Sequence, residues 1–247
     1  MEITDLIEMN CSWLLNGLLK MENTDIRKLC IPPYATPAFT SFSIAGQATT
    51  IEVGTPITTN KVFNWSTSNS FNVQPNTVAI RDITLAVLIA SGLANDGTEA
   101  IVIAPISNVL PMSHSWRAEA VDTQASPFVS SPFTITSCYY EFYGPTAINS
   151  VNSAQVRALP SNRPACAGTS FNLLTGTVEK IFEIAMPATK TLVSVFDATA
   201  GFFITGAFTL TTFNVNDAGG NPISYNVYRL NNAVPYAISH TFNIVTT

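Results

Sequence analysis

His114 and His240 are the two histidines of this 247-residue chain, and a histidine is the side chain most readily used as a general base or metal ligand near neutral pH. Each falls in an expected β-strand with no carboxylate or cysteine close by in sequence. The expectation is a surface or hydrogen-bonded histidine rather than a base or a ligand. Glu179 and Glu183 alternate along one strand face at a spacing a glycosidase could use, but two acids four residues apart on a strand are expected to form a solvated face. Asp217 and Asn221 could offer oxygen ligands to calcium. A single acid is a poor complement for a hard cation, so Asp217-Ala218-Gly219-Gly220-Asn221 is expected to be a tight turn.

The four cysteines, Cys11, Cys30, Cys138 and Cys166, lie 19, 108 and 28 residues apart. These spacings match neither a CxxC pair nor a zinc-ligand pattern. Buried or incidental thiols are expected, with a Cys11–Cys30 disulfide conceivable in an oxidising compartment. No nucleophile elbow, P-loop, dinucleotide fingerprint or H-E-x-x-H motif occurs. The sequence therefore supports no catalytic residue, no metal and no cofactor. Asn10-Cys11-Ser12 and Asn64-Trp65-Ser66 match the glycosylation sequon.

These residues fall mostly on or between expected strands. From residue 36 onward, strand signals recur every 8 to 15 residues, separated by Gly, Pro, Asn and Ser clusters, the rhythm of an all-β sandwich. Expected strands are Phe39 to Ala45, Thr49 to Val53, Lys61 to Ser66, Val78 to Ile83, Glu99 to Ala104, Ser113 to Val121 and Phe133 to Tyr143. Beyond a turn-rich stretch come Val178 to Ala185, Thr191 to Asp197, Phe208 to Val215, Ser224 to Leu230 and Ile238 to Val245. Phe208 to Leu230 reads as a hairpin around the Asp217 turn. Trp116, Ala118 and Ala120 share one strand face and Arg117 and Glu119 the other. Trp65 falls where an immunoglobulin-like sandwich keeps a core tryptophan, but the antibody-type cysteine pair is absent.

Ahead of the strands, Ile3, Leu6, Ile7, Cys11, Leu14 and Leu18 recur at the period of one helical face, and Pro32-Pro33 stops any helix. The fold class expected is mainly β: two β-sandwich domains, Ig-like or jelly-roll-like, behind a short helical N-terminal segment. The divisions are residues 1–35 for the helical segment and Pro-rich linker, 36–143 for the first sandwich and 144–247 for the second. The segment is too apolar to stand alone. Ile3, Leu6, Ile7, Trp13, Leu14 and Leu18 are its candidate docking residues, either onto the chain's own β-domain or onto a neighbouring subunit.

Composition limits the partners. The chain is 47% hydrophobic but only 11% charged, against about 25% charged in an ordinary soluble domain, so Thr, Ser and Asn must cover much of the surface. Net charge is −5, which gives no electrostatic footprint for a phosphate backbone, and nucleic acid is not expected as a partner. The longest apolar run, Leu85 to Ala90, is far short of the ~20 residues of a membrane-spanning helix, so no membrane insertion is expected. The acidic start, Met1-Glu2-Ile3-Thr4-Asp5, lacks the features of a secretory signal.

Two sets of residues carry a family resemblance. Thr50-Ile51-Glu52-Val53-Gly54-Thr55, Phe63 to Asn69 and Ala90 to Gly97 together resemble an Ig-like module of tailed-bacteriophage structural proteins. Glu179 to Pro187, Asn214 to Gly220 and Ser224 to Tyr228 resemble the C-terminal domain of phage tail-associated or fibre-like proteins. The resemblance spans about residues 38 to 247. It implies a non-catalytic component of the virion, in the fibre, baseplate or tail attachment, repeated about a symmetry axis with a trimer favoured. It further implies other virion proteins as partners and a host-surface receptor or glycan as a contact. A capsid decoration or cement protein is the alternative within the class, and a carbohydrate-binding or adhesin module the alternative outside it.

Overall fold

Met112-Ser-His-Ser-Trp-Arg-Ala-Glu-Ala-Val121 shows how the sequence builds its sheets. His114, Trp116, Ala118 and Ala120 are buried, while Arg117 and Glu119 lie on the other face, where Glu119 pairs with both Arg117 and Arg81. Period-two alternation with bulky apolar residues on one face makes a half-buried strand, and its partners must offer the matching face. The structure, a computed structural model, describes residues 34–247. The expected N-terminal helix and its docking residues Ile3, Leu6, Ile7, Trp13, Leu14 and Leu18 lie outside the described residues.

The chain is mainly β, and its sheets form two sandwiches. The first uses β1 (Ala38–Ile44), β2 (Thr50–Glu52), β3 (Asn60–Ser68), β4 (Val78–Asp82), β5 (Val87–Leu93), β6 (Gly97–Val102), β7 (Met112–Val121), β8 (Pro127–Val129) and β9 (Phe133–Cys138). Strands β1-β3-β6 form one sheet and β2-β9-β7-β4-β5 the other, with β8 added to β7; β2 runs parallel to β9 and the remaining pairs are antiparallel. Both sheets feed one core, in which Ile44, Phe63 and Trp65 meet Ile80, Trp116 and Ile135. The rings of Phe63 and Trp116 meet edge to face with centroids 6.3 Å apart.

The second sandwich uses β10 (Tyr140–Thr146), β11 (Ser161–Pro164), β12 (Ser170–Leu174), β13 (Ile181–Pro187), β14 (Leu192–Asp197), β15 (Phe202–Phe203), β16 (Thr209–Asn216), β17 (Pro222–Asn231) and β18 (Thr241–Thr246). A single short helix, α1 (Ser153–Arg157), is capped by Asn152, whose side chain accepts the Gln155 N–H. The sheets run β11-β10-β13-β17-β16 and β12-β18-β14-β15. Phe182, Ile184 and Met186 of β13 face Val195, Phe242 and Ile244 across the sandwich. The other face of the five-stranded sheet is covered too: Val156 and Leu159 pack on Phe142, Ala185, Val215 and Val227. β13 is thus buried on both sides, which is why Ile-Phe-Glu-Ile-Ala-Met-Pro shows no alternation.

Several expectations are revised. Phe133 to Tyr143 is two strands in different sandwiches, so the sheets divide at Tyr139 rather than after residue 143. Residue 144 looked like a boundary because Gly144-Pro145 reads as a breaker, yet both residues sit inside β10, paired with β13. Gly144 takes φ +141° with Pro160 packed against it, leaving no space for a Cβ. The strands β5, β8, β11, β12 and β15 and the helix were not expected. Among the described residues, no helix is long and apolar enough to cross a membrane.

Candidate functional site

The residues with the most elaborate chemistry gather where the sandwiches meet. β9 passes into β10 through Tyr139 alone, so one nearly continuous strand serves both bodies. Cys138 at its centre is joined by a disulfide to Cys166 in the β11–β12 turn, 28 residues on. This corrects the expectation of unpaired thiols: sequence spacing is silent on pairs brought together by a β-turn of the next domain.

Beside the crossing strand, Glu52 at the end of β2 and Arg157 at the end of α1 form a two-pronged ion pair, at 2.5 and 2.8 Å. The guanidinium also donates to the Asn216 carbonyl at 2.8 Å and lies over the Phe142 ring, 5.1 Å from its centroid. The hydrogen bond it donates to Glu52 raises the Arg157 pKa, against the opposing effect of burial. Tyr225 donates to the Tyr140 carbonyl at 2.7 Å, and burial, followed by the charge of Glu52, pushes its phenol well above the ordinary value.

Backbone groups close the other side. The Val53 N–H donates to the Cys138 carbonyl, the Ala218 N–H to the Val53 carbonyl, both at 3.1 Å, and the Gly54 N–H to the Asn108 carbonyl at 2.7 Å. Gly54 has φ +86°, and a Cβ placed there would lie 2.2 Å from the Gly219 nitrogen. Only a glycine allows this approach of two backbones. The Asp217 turn is held by its own carboxylate: Oδ1 accepts the N–H groups of Gly219 and Asn221 at 2.8 and 2.9 Å. Both its oxygens are thereby committed inside the turn, together with the Asn221 amide. An open cleft of about 620 Å³, lined by Ser153, Arg157, Asn216 and Asp217, flanks the joint on one side.

The histidines acquire partners that sequence distance conceals. His114 meets Asp82 and His240 meets Asp197, each at 2.6 Å. The Asp82 carboxylate also accepts the Leu85 N–H, and that of Asp197 accepts those of Thr199 and Ala200. Both aspartates are strand-end residues that cap the following turn; Asp82 holds His114 from the neighbouring β7, and Asp197 holds His240, which lies just before β18 rather than in the expected strand. The His114 ring lies tilted beside Trp116 and the His240 ring stacks on Tyr236, at 4.5 and 4.1 Å between centroids. Among the described residues, no three His, Cys, Asp or Glu side chains form a metal-binding group.

Glu183 is not on a solvated face. It is fully buried, paired with Arg229 at 2.8 Å and accepting the Ser150 N–H at 2.9 Å, because residues before α1 roof the outer face of β13. Glu179 precedes β13 and takes no part. Glu141 is likewise buried, between Arg163 at 2.7 Å and Lys190 at 2.9 Å. Glu183–Arg229 and Glu141–Arg163 are cross-strand pairs within the five-stranded sheet, and Lys190 ties the β13–β14 loop to it. Glu52, Gly54, Arg157, Glu141 and Arg163 carry no signal as site residues in the sequence; their partners lie on other elements, and no local spacing marks them.

No family model matches the chain, and no curated protein matches it. Among solved structures, the crystal structure of Streptomyces avermitilis alpha-L-rhamnosidase complexed with L-rhamnose is similar at 9% identity and TM-score 0.27, covering 86% of this chain and 22% of that one. The chain thus spans about a fifth of that enzyme's length, and at this TM-score the likeness carries no argument.

Proposed function

We propose that this chain is a non-catalytic structural component of a tailed-bacteriophage virion, in the fibre, baseplate or tail attachment. The observation that carries the reading is the joint. Two sandwiches are fastened by a shared strand, a disulfide, a two-pronged ion pair and a glycine-on-glycine backbone contact. Tandem domains usually move against each other unless their interface is built to prevent it. A joint with this many independent ties suits an element that transmits force or fixes a spacing. The hydroxyl-rich, charge-poor surface and the resemblance of residues 38 to 247 to phage modules support the same reading.

In this reading the N-terminal segment, with Ile3, Leu6, Ile7, Trp13, Leu14 and Leu18, docks on other virion proteins, the sandwiches project outward, and a host receptor or glycan meets their far end. The experiment is incorporation. The full chain and a variant lacking residues 1–30 are supplied to a phage whose own copy is deleted, and purified particles are assayed for each. The reading expects the full chain in particles and the truncated chain left behind. Equal incorporation of both overturns the docking role, and absence of the full chain overturns the virion role. Tight binding of one sugar on a glycan array by a chain that is absent from particles would favour the adhesin alternative.

A further inference from the structure

β16 is an outer strand whose edge, except at Asn216, is met by no backbone or side-chain partner among the described residues, and its outward groups are regular enough to define a partner. It ends the order β11-β10-β13-β17-β16 and pairs with β17 without a break over eight residues, from Thr209 opposite Arg229 to Asn216 opposite Pro222. Its sequence, Thr-Leu-Thr-Thr-Phe-Asn-Val-Asn, has no charge and no proline. Exposed edges usually carry a bulge, a charge, a proline or a short length, because an unguarded row of N–H and C=O groups templates another strand.

The other outer strands among the described residues are guarded. β1 has a register break between Phe39 and Ser41, and the β4–β5 ladder has breaks on either side of Ile80. β2 and β15 have three residues and two. β6 carries Glu99, and β11 carries Arg163 and Pro164. In β12 the Ser170 carbonyl is taken by Arg163 at 2.7 Å. β16 is tied in this way at its last residue, Asn216, and from Leu210 to Asn214 it has no such protection.

The open part of β16 can be located. In an antiparallel pair, alternate residues turn their backbone groups toward the neighbour and away from it. Ser224, opposite Asn214, gives its carbonyl to Ala188 on the β13 side, so the even-numbered residues of β16 point outward. Asn216 is already closed, its N–H donated to Ser153 at 2.8 Å and its carbonyl accepting Arg157. That leaves Leu210, Thr212 and Asn214, with Thr212 at the centre.

We propose that β16 pairs with β16 of a second copy of this chain, antiparallel about a two-fold axis at Thr212. In that register Thr212 faces the partner's Thr212 and Leu210 faces the partner's Asn214. Each open N–H and C=O is then satisfied, giving about six backbone hydrogen bonds, and the two five-stranded sheets become one. Helix α1 stops the ladder at Asn216, so a shifted register leaves open groups unpaired. A neutral strand brings no like-charge repulsion to its own copy. The assembly is two-fold, where the family resemblance favours a trimer, and it stands independently of the virion reading.

The test is the mass of the full chain in solution by light scattering over a range of concentrations, with variants. A mass twice 26.5 kDa is expected for the wild type. Thr212→Lys and Thr212→Pro should each give the monomer with unchanged circular dichroism, since the Thr212 N–H points outward and an edge strand tolerates proline there. Under mild oxidation Thr212→Cys should cross-link into a dimer beyond the wild-type background, and Leu210→Cys should not, because its own copy lies too far away for a disulfide. A wild type that is monomeric throughout, a dimer that survives both Thr212 variants, or cross-linking through Leu210→Cys alone would each overturn the proposal. Dimerisation only after removal of residues 1–33 would also overturn it, assigning the edge to the chain's own N-terminal segment.

Discussion

Glu52 and Arg157, 105 residues apart in sequence, meet across the boundary of the two sandwiches with both carboxylate oxygens on the guanidinium. The pair is partly buried, its side chains 11% and 30% exposed, which places it between the weak ion pairs of a surface and the costly ones of an interior. Glu52→Gln, Arg157→Met and the double variant form a cycle whose coupling should be about 1–2 kcal/mol in chemical denaturation. Small-angle scattering of the single variants should show a wider spread of interdomain angles. A coupling near zero would mean the joint is held by its backbone and disulfide alone.

Gly54 tests the backbone part of the joint. Alanine there must adopt φ +86° and place its Cβ 2.2 Å from the Gly219 nitrogen. Gly54→Ala should cost about 3 kcal/mol in unfolding free energy. Gly219→Ala, whose added Cβ would lie 3.1 Å from the Gly54 Cα, should cost less. Thermal unfolding of the two variants side by side checks the order.

The disulfide closes a loop of 28 residues between Cys138 and Cys166. Chain-entropy arguments assign such a loop about 3–4 kcal/mol, lost on reduction or in the Cys138→Ala/Cys166→Ala double variant. Cys166 is exposed and Cys138 buried, so a reductant has access from one side without unfolding. Denaturant midpoints with and without reductant measure the loss.

Much of the fold was legible because it rests on local pattern. Trp116-Arg117-Ala118-Glu119-Ala120 alternates, and the Asp217 turn carries Gly-Gly, so β7 and the β16–β17 hairpin could be read directly. β13 was found, but Glu183 was misplaced: alternation cannot reveal that a loop from residues 147–152 roofs the outer face. The strands β11 and β12 lie in a stretch rich in Pro, Gly and Ser, where turn signals outweigh short pairings fixed only by β10 and β18. The joint was illegible for a related reason. Glu52, Gly54, Arg157 and Gly219 each look ordinary locally, and their meaning comes from a contact between domains.

Buried charge in the second sandwich yields a sharper mutational expectation. Glu183 is fully buried and depends on Arg229. Arg229→Met keeps the bulk but leaves the carboxylate uncompensated, at a cost of about 3–5 kcal/mol. The double variant Glu183→Leu/Arg229→Met should recover much of that loss, read as a return of the denaturant midpoint toward wild type.

Tyr34 and Asp122 set a pH window. The hydrogen bond from Tyr34, followed by backbone bonds from Ser126 and Gln124, lowers the Asp122 pKa from its ordinary 3.8, and the same bond raises Tyr34 from 10.0. A depressed carboxylate contributes stability that is present above its unfolded value and lost as pH falls through the folded one. A raised phenol contributes below its unfolded value and loses that contribution as pH rises through the folded one. Tyr34→Phe should shrink the acid limb, leaving the part due to Ser126 and Gln124, and remove this residue's alkaline limb. Melting temperature against pH for the two proteins reads both.

A virion role, as proposed, makes the chain a stoichiometric part of a virus particle. Phage particles carrying it, banded on a density gradient, should contain the chain at a fixed copy number by quantitative mass spectrometry, and an antibody to residues 38–247 should label one place at the tail. A chain that separates from the particles on the gradient, with no label on intact virions, would contradict a virion role.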